Sequence, residues 1–221
     1  PRCLLRYVSP QQLEFLACGE DVDVRVVRPD ARARLLRVLG VRAVPLAQQQ
    51  QQGVLRMRLH TCIALQAQFG RDMRVVLPAF VSHRALADLI AAEQAPQPHE
   101  GEADEQAQQQ SGCVLGELPM HRFYFYCYVL VQHALTPAAA VAEGLDVGRF
   151  LAQLNELFNA RMEKLERALR RAHTQGFGVL ACRNLADMEL FAVRRHFTLA
   201  TEQPALLAST RDLCASTLDA L

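Results

Sequence analysis

The signatures that usually announce an enzyme are missing from this chain. Its 221 residues hold no Gly-x-Gly-x-x-Gly, no Walker loop, no Gly-x-Ser-x-Gly and no His-Glu-x-x-His, which removes the common nucleotide-binding, hydrolase and zinc-protease motifs. No Cys-x-x-Cys occurs and no Cys/His pair has zinc spacing. The seven cysteines (Cys3, Cys18, Cys62, Cys113, Cys127, Cys182, Cys214) are odd in number and scattered. They read as inert core thiols of a reducing, intracellular compartment. The longest apolar run, Phe123 to Val131, is nine residues, short of the ~20 that span a bilayer. Charge is nearly balanced at +1, so bulk electrostatics predict no strong attraction to nucleic acid. Lysine is almost absent: of 24 basic residues only Lys164 is not arginine, a bias we attribute to coding rather than to a phosphate-binding surface. No secretory signal opens the sequence. It starts at Pro1 rather than Met, which leaves the true N-terminus open. A soluble intracellular protein is the expectation.

What is present suffices for a core: 51% of residues are hydrophobic, enough for one domain or for a small one plus a larger one. The pattern predicts an α+β fold, mostly helical, with a small N-terminal β-containing domain over 1–53 and a helical domain over 54–221. Ser9-Pro10 opens a short helix. Val22 to Val27 alternates apolar and charged residues as a half-exposed strand does. Pro29 and Asp30 turn the chain, and Leu35 to Val41 forms either a second strand or a short helix. Gln48 to Gln52 reads as a flexible insertion.

From Val54 the pattern predicts a helix, with Leu55, Leu59, Cys62 or Ile63, and Ala67 on one face and Gly70 at its end. Ser82 caps the next helix, with Leu86, Leu89 and Ile90 inward. Residues 95–112 are acidic, polar and proline-containing, and are expected to be a disordered linker. Pro119 starts an aromatic helix. Asp146 caps a long one to about His173, whose outer face allows Glu163–Arg167 and Glu166–Arg170 pairs. Gly176 and Gly178 break it, and a final helix runs from Pro204 to about Leu218.

Candidate reactive groups have plainer readings. His60, His133 and His196 read as core or surface histidines, and Glu163 with Glu166 as a solvated face. Tyr124, Tyr126 and Tyr128 could stack bases of single-stranded DNA, but a helix scatters their rings around its axis, which favours packing. An enzyme reading would rest on a nonstandard pair such as Cys127 and His133.

The segment Asn184 to Phe197 is the most informative. Asn184 can act as an N-cap with Asp187 in a capping-box variant. Leu185, Met188, Ala192 and Leu199 then fall on one stripe, and Leu190, Val193 and Phe197 on another. Two stripes imply burial on two sides, either in the centre of a single-chain bundle or at an interface. Met188 is expected in apolar packing. Glu189 is expected at the rim between the stripes, accepting hydrogen bonds from an arginine or from backbone N–H groups.

Several motifs in order resemble one family. They are Ser9-Pro10 with Leu13-Glu14-Phe15-Leu16; Ile63-Ala64-Leu65 with Gln66 and Gln68; Arg74-Val-Val-Leu-Pro78-Ala-Phe80; Glu117-Leu118-Pro119; Arg161, Lys164 and Leu165; and Asn184, Leu185, Met188 and Glu189. Together they resemble the GINS family of replication-complex subunits, in its subunit-two branch. Phe80 stands where that family usually has Trp, and the glutamine run and acidic linker depart from it. The resemblance implies a nuclear, non-catalytic subunit without metal or cofactor, in a tetramer with three paralogous GINS subunits. That tetramer joins the Mcm hexamer and the Cdc-forty-five protein in the replicative helicase, with DNA contact indirect or weak and no membrane. It tips the two-stripe helix towards an interface, and Phe123, Tyr124, Tyr126, Tyr128, Leu185, Met188, Glu189 and Phe197 become the candidate interface residues. A helical adaptor outside replication is the alternative.

Overall fold

A computed structural model describes residues 15, 17, 19–40, 54–95, 112–174 and 181–194. The fold is α+β and mostly helical, with a small antiparallel sheet near the N-terminus. Strand β1 (Asp21–Val26) is central in the sheet, flanked by β2 (Val54–Arg58) and β3 (Met73–Val76). The alternation read from the sequence holds, since Val22 and Val24 are buried while Asp21 and Arg25 face out. Charge pins the β1–β2 register: Asp21 lies opposite Arg58 and Asp23 opposite Arg56. Asp23 and Arg56 form a two-pronged pair at 2.9 and 3.2 Å. Opposite charges directly across strands favour that alignment.

Two expectations for this region are corrected. Helix α1 (Pro29–Val38) begins at the proline expected to turn the chain; Pro29 occupies the first helical turn, where its missing N–H costs nothing. The helix expected from Val54 instead starts at Leu59, as α2 (Leu59–Phe69). Leu55 and Leu59 mimic helical spacing, but Arg56 and Arg58 face out around buried Met57, which is the two-residue period of a strand. The sheet therefore takes two of its three strands from beyond residue 53. In α2 the buried residues are Leu59, Cys62, Leu65 and Phe69, while Ala67 is exposed.

Helix α3 (His83–Gln94) is capped as expected, with Ser82 Oγ accepting from the Ala85 N–H at 3.2 Å. Strand β4 (Gly112–Val114) starts at the last residue assigned to the linker. The aromatic helix α4 (Phe123–Val129) starts four residues after Pro119 and continues as one π-helical stretch, Leu130–Ala134. The short α5 (Pro137–Ala142) leads to the long α6 (Val147–Thr174), which Asp146 caps by accepting from the Arg149 N–H at 3.0 Å. Arg167 Nε donates to the Glu163 backbone carbonyl at 3.3 Å, so the expected carboxylate is not its acceptor in that bond. Strand β5 (Ala181–Arg183) pairs in parallel with β4, and α7 (187–194) follows. α3 packs along α6, and one hydrophobic core runs from Val22 of the sheet through α4 and α6 to Ala192 of α7.

The start of the short helix expected at Ser9-Pro10, the glutamine run, residues 96–111 of the acidic segment, the glycines at 176 and 178, His196, Phe197, Leu199 and the helix expected over 204–218 lie outside the described residues.

Candidate functional site

Arg161 sits in the middle of α6 on the stripe formed by Leu154, Phe158 and Leu165, and its side chain is fully buried. A guanidinium there needs every one of its five N–H groups satisfied. Nε donates to Glu189 at 2.5 Å, and one terminal nitrogen adds a second bond to that carboxylate at 3.1 Å. The same nitrogen reaches the Asn184 carbonyl at 2.6 Å. The other terminal nitrogen donates to Glu93 Oε1 at 2.5 Å and to the Gly116 carbonyl at 2.6 Å.

The acceptors are held as firmly. Glu189 takes two further bonds, from the Tyr124 hydroxyl at 2.9 Å and the Ala186 N–H at 2.9 Å. Glu93 accepts from the Gly116 N–H at 2.5 Å and from Lys164 Nζ at 3.1 Å. Two carboxylates face two cations, so the cluster is neutral overall, the condition under which buried charge is tolerated. Burial disfavours the Arg161 cation, yet the hydrogen bonds and charge of Glu189 outweigh that and hold its pKa above the ordinary value. Burial and then the Glu189 charge push the Tyr124 phenol well up, so the hydroxyl stays protonated and donating.

Local sequence builds each contact. Asn184 is not the N-cap of α7. It adopts the left-handed conformation at φ 61°, which asparagine tolerates better than most residues. That turn aims its carbonyl at Arg161 while its amide donates to the Leu115 carbonyl at 2.9 Å. Ala186 takes the cap position, and Glu189, third in the helix, reaches back to its N–H as the glutamate of a capping box does. Gly116 is required by close approach, because a Cβ there would lie 2.8 Å from Glu93 Oε1.

The expectation for Glu189 is thus met in its partners, an arginine and a backbone N–H, and corrected in its place: it is fully buried rather than at a rim. Met188 is 1% exposed, in apolar packing as expected. The interface assignment of Phe123, Tyr124 and Tyr126 is corrected, as is that of Met188 and Glu189, because the chain buries all five itself. α4 is covered on nearly every side: Phe123 packs against Phe80, and Tyr124 meets Phe158 edge-on at 5.5 Å. Leu185 and Tyr128 are half-buried. Cys127 is fully enclosed, and burial alone pushes its thiol far up, whereas His133 is exposed, so the two are not set up as a nucleophile and base.

Sequence reasoning missed Arg161 and Glu93 as core residues. The signal was present: Leu154, Phe158, Arg161 and Leu165 are spaced four, three and four apart, and Leu86, Ile90 and Glu93 four and three. A charge at an apolar stripe position either breaks the helix pattern or announces a buried partner.

α7 turns Met188, Glu189 and Ala192 inward and leaves Leu190 and Phe191 on the surface at 49% and 44% exposure. The Phe191 ring meets that of Phe125 edge-on, with centroids 6.2 Å apart. A second feature is an open cleft of about 290 Å³ between the sheet and α4, with Asp23 and Arg56 on one wall and Phe80, Met120 and Tyr126 on another. Asp23 and Arg56 already bind each other, and Asp21, which also lines it, pairs with Arg58. Among the described residues no group of three or more His, Cys, Asp or Glu side chains could hold a metal ion, and no helix is long and apolar enough to cross a membrane. No family model matches the sequence, and no curated protein matches it.

Proposed function

We propose that this chain is a non-catalytic structural subunit of the four-subunit GINS complex. In this reading it acts in the nucleus and helps hold the Mcm hexamer and the Cdc-forty-five protein together as the replicative DNA helicase. The observation that carries the reading is the division of α7. One face is locked into the chain by the Arg161–Glu189 pair, and the opposite face presents Leu190 and Phe191, each close to half exposed among the described residues. Adjacent exposed large apolar residues on a rigidly held helix suit a protein partner rather than a small molecule.

The residues of the family resemblance add support. Arg161, Lys164, Asn184 and Glu189 were singled out for their order in the sequence, and they converge on one buried cluster. That cluster orients α7, and a clamp subunit needs an oriented surface more than it needs reactive groups. DNA contact is indirect or weak in this reading.

The test is recovery of the tagged full-length chain from cells, with its stoichiometric partners identified by mass spectrometry. Three paralogous subunits in equal amounts are expected, and Leu190→Asp should lose them while keeping the fold. Stoichiometric partners outside replication would favour a helical adaptor and overturn the proposal, and so would a chain that is monomeric in cells.

A further inference from the structure

Cys113 and Cys182 lie directly opposite each other in the parallel β4–β5 pair. Registered residues of adjacent strands project to the same face, and strands lie about 4.8 Å apart. That spacing falls inside the range of Cα separations, roughly 4.4–6.8 Å, that a disulfide accepts. The Cys113 side chain also acts on Cys182 as a hydrogen-bonding neighbour, opposing the burial that raises the Cys182 thiol. Both are free; Cys113 is buried and Cys182 is partly open to solvent. Neither belongs to the network around Arg161, nor to the exposed face of α7.

We propose that Cys113 and Cys182 form a redox-responsive dithiol that a hydroperoxide converts to a disulfide, stapling β4 to β5. Cys182 reacts first because solvent reaches it. Its thiolate attacks one peroxide oxygen, the O–O bond breaks, and a sulfenic acid forms with release of hydroxide. The Cys113 sulfur then attacks the Cys182 sulfur, the S–O bond breaks, and the departing hydroxide takes up the Cys113 proton as water. Overall two thiols and one hydrogen peroxide give one disulfide and two waters.

Burial lifts the Cys113 thiol to about 11. It raises that of Cys182 as well, against the hydrogen bond from Cys113. A small thiolate fraction makes the pair slow, which fits a staple formed under sustained oxidant rather than a site of rapid turnover. Its position gives the staple an effect. β4 leads to Gly116 and β5 to Asn184, the two backbone carbonyls that Arg161 bridges. The disulfide therefore adds a covalent tie where the reduced protein relies on a three-residue ladder, the Asn184 amide bond to the Leu115 carbonyl and one guanidinium.

The test treats the folded full-length chain with hydrogen peroxide and maps its peptides by mass spectrometry. The expected product is a cross-linked peptide pair containing Cys113 and Cys182, two hydrogens lighter than its parts and released by dithiothreitol. The thermal midpoint should rise by roughly 5–15 °C, since the bond closes a long loop, and both Cys113→Ser and Cys182→Ser should abolish that rise. Recovery of Cys182 as sulfinic or sulfonic acid, or of both residues as free thiols in treated folded protein, would overturn the proposal. A midpoint shift that persists in Cys113→Ser would overturn it as well. The wild-type peptide map decides the matter whether or not the serine variants fold.

Discussion

Arg161 donates all five of its N–H groups inside the fold, to two carboxylates and two backbone carbonyls. Such a residue contributes little if the whole cluster is replaced by apolar groups, but a great deal if it is removed alone. Arg161→Met leaves Glu93 and Glu189 buried with Lys164 as their remaining cation, and should cost ~3–5 kcal/mol in urea unfolding. A loss below about 1 kcal/mol would mean that water enters and solvates the carboxylates. Arg161→Lys should rescue little, because an ammonium cannot reproduce the planar fork.

A second prediction at this scale concerns alkaline pH. Burial raises the Cys62 and Cys113 thiols from 9.0 to about 11. A group whose folded pKa is raised stabilises fully below its unfolded value and loses that contribution as pH rises through the folded one. With a reductant present, the denaturation midpoint should therefore fall between pH 9 and about 11, and Cys62→Ala should shallow that fall. A profile flat across this window would show that the thiols ionise as readily in the native protein as in the unfolded chain.

At the scale of elements, capping was legible wherever the cap is local. Ser82 and Asp146 each stand three residues before the N–H they accept from, and both behave as the sequence indicates. Ser82→Ala should lower stability by about 1 kcal/mol and Ser82→Gly by only a few tenths. Equal effects in thermal unfolding would show that the hydroxyl is not what holds the start of α3. Asn184 has the same apparent signature and a different role, because a left-handed turn and two tertiary hydrogen bonds outcompete the cap. α4 gives the converse case. Aromatic residues on every side of a helix require cover on every side, and the sequence shows that requirement without showing that Phe80, Phe158 and Phe191 of the same chain meet it.

For the whole molecule, the core is continuous from the sheet to α7. The β-containing and helical parts should therefore unfold together, in a single transition with coincident far-ultraviolet and tyrosine signals. Two resolved transitions would mean that the sheet with α1 and α2 is an independent unit. Leu190 and Phe191 are adjacent and about half exposed, so whether the chain takes a partner through α7 is to be read from its partners in cells and not from solubility alone.

The sequence by itself determined what repeats over one or two turns: the β1 alternation, the long stripe of α6, the caps at Ser82 and Asp146, and a glutamate in α7 that takes an arginine and a backbone N–H as partners. Tertiary structure decided which arginine that is, because Arg161 and Glu189 are 28 residues apart and nothing in local periodicity encodes that distance. It also decided that Val54–Arg58 is a strand, since pairing with β1 and the Asp21–Arg58 and Asp23–Arg56 matches outweigh a helical spacing read from two leucines. The physical reason is common to both. Periodicity reports which face of an element is apolar, whereas the partner of a buried charge or of a strand edge is chosen by free energy summed over contacts distant in the chain.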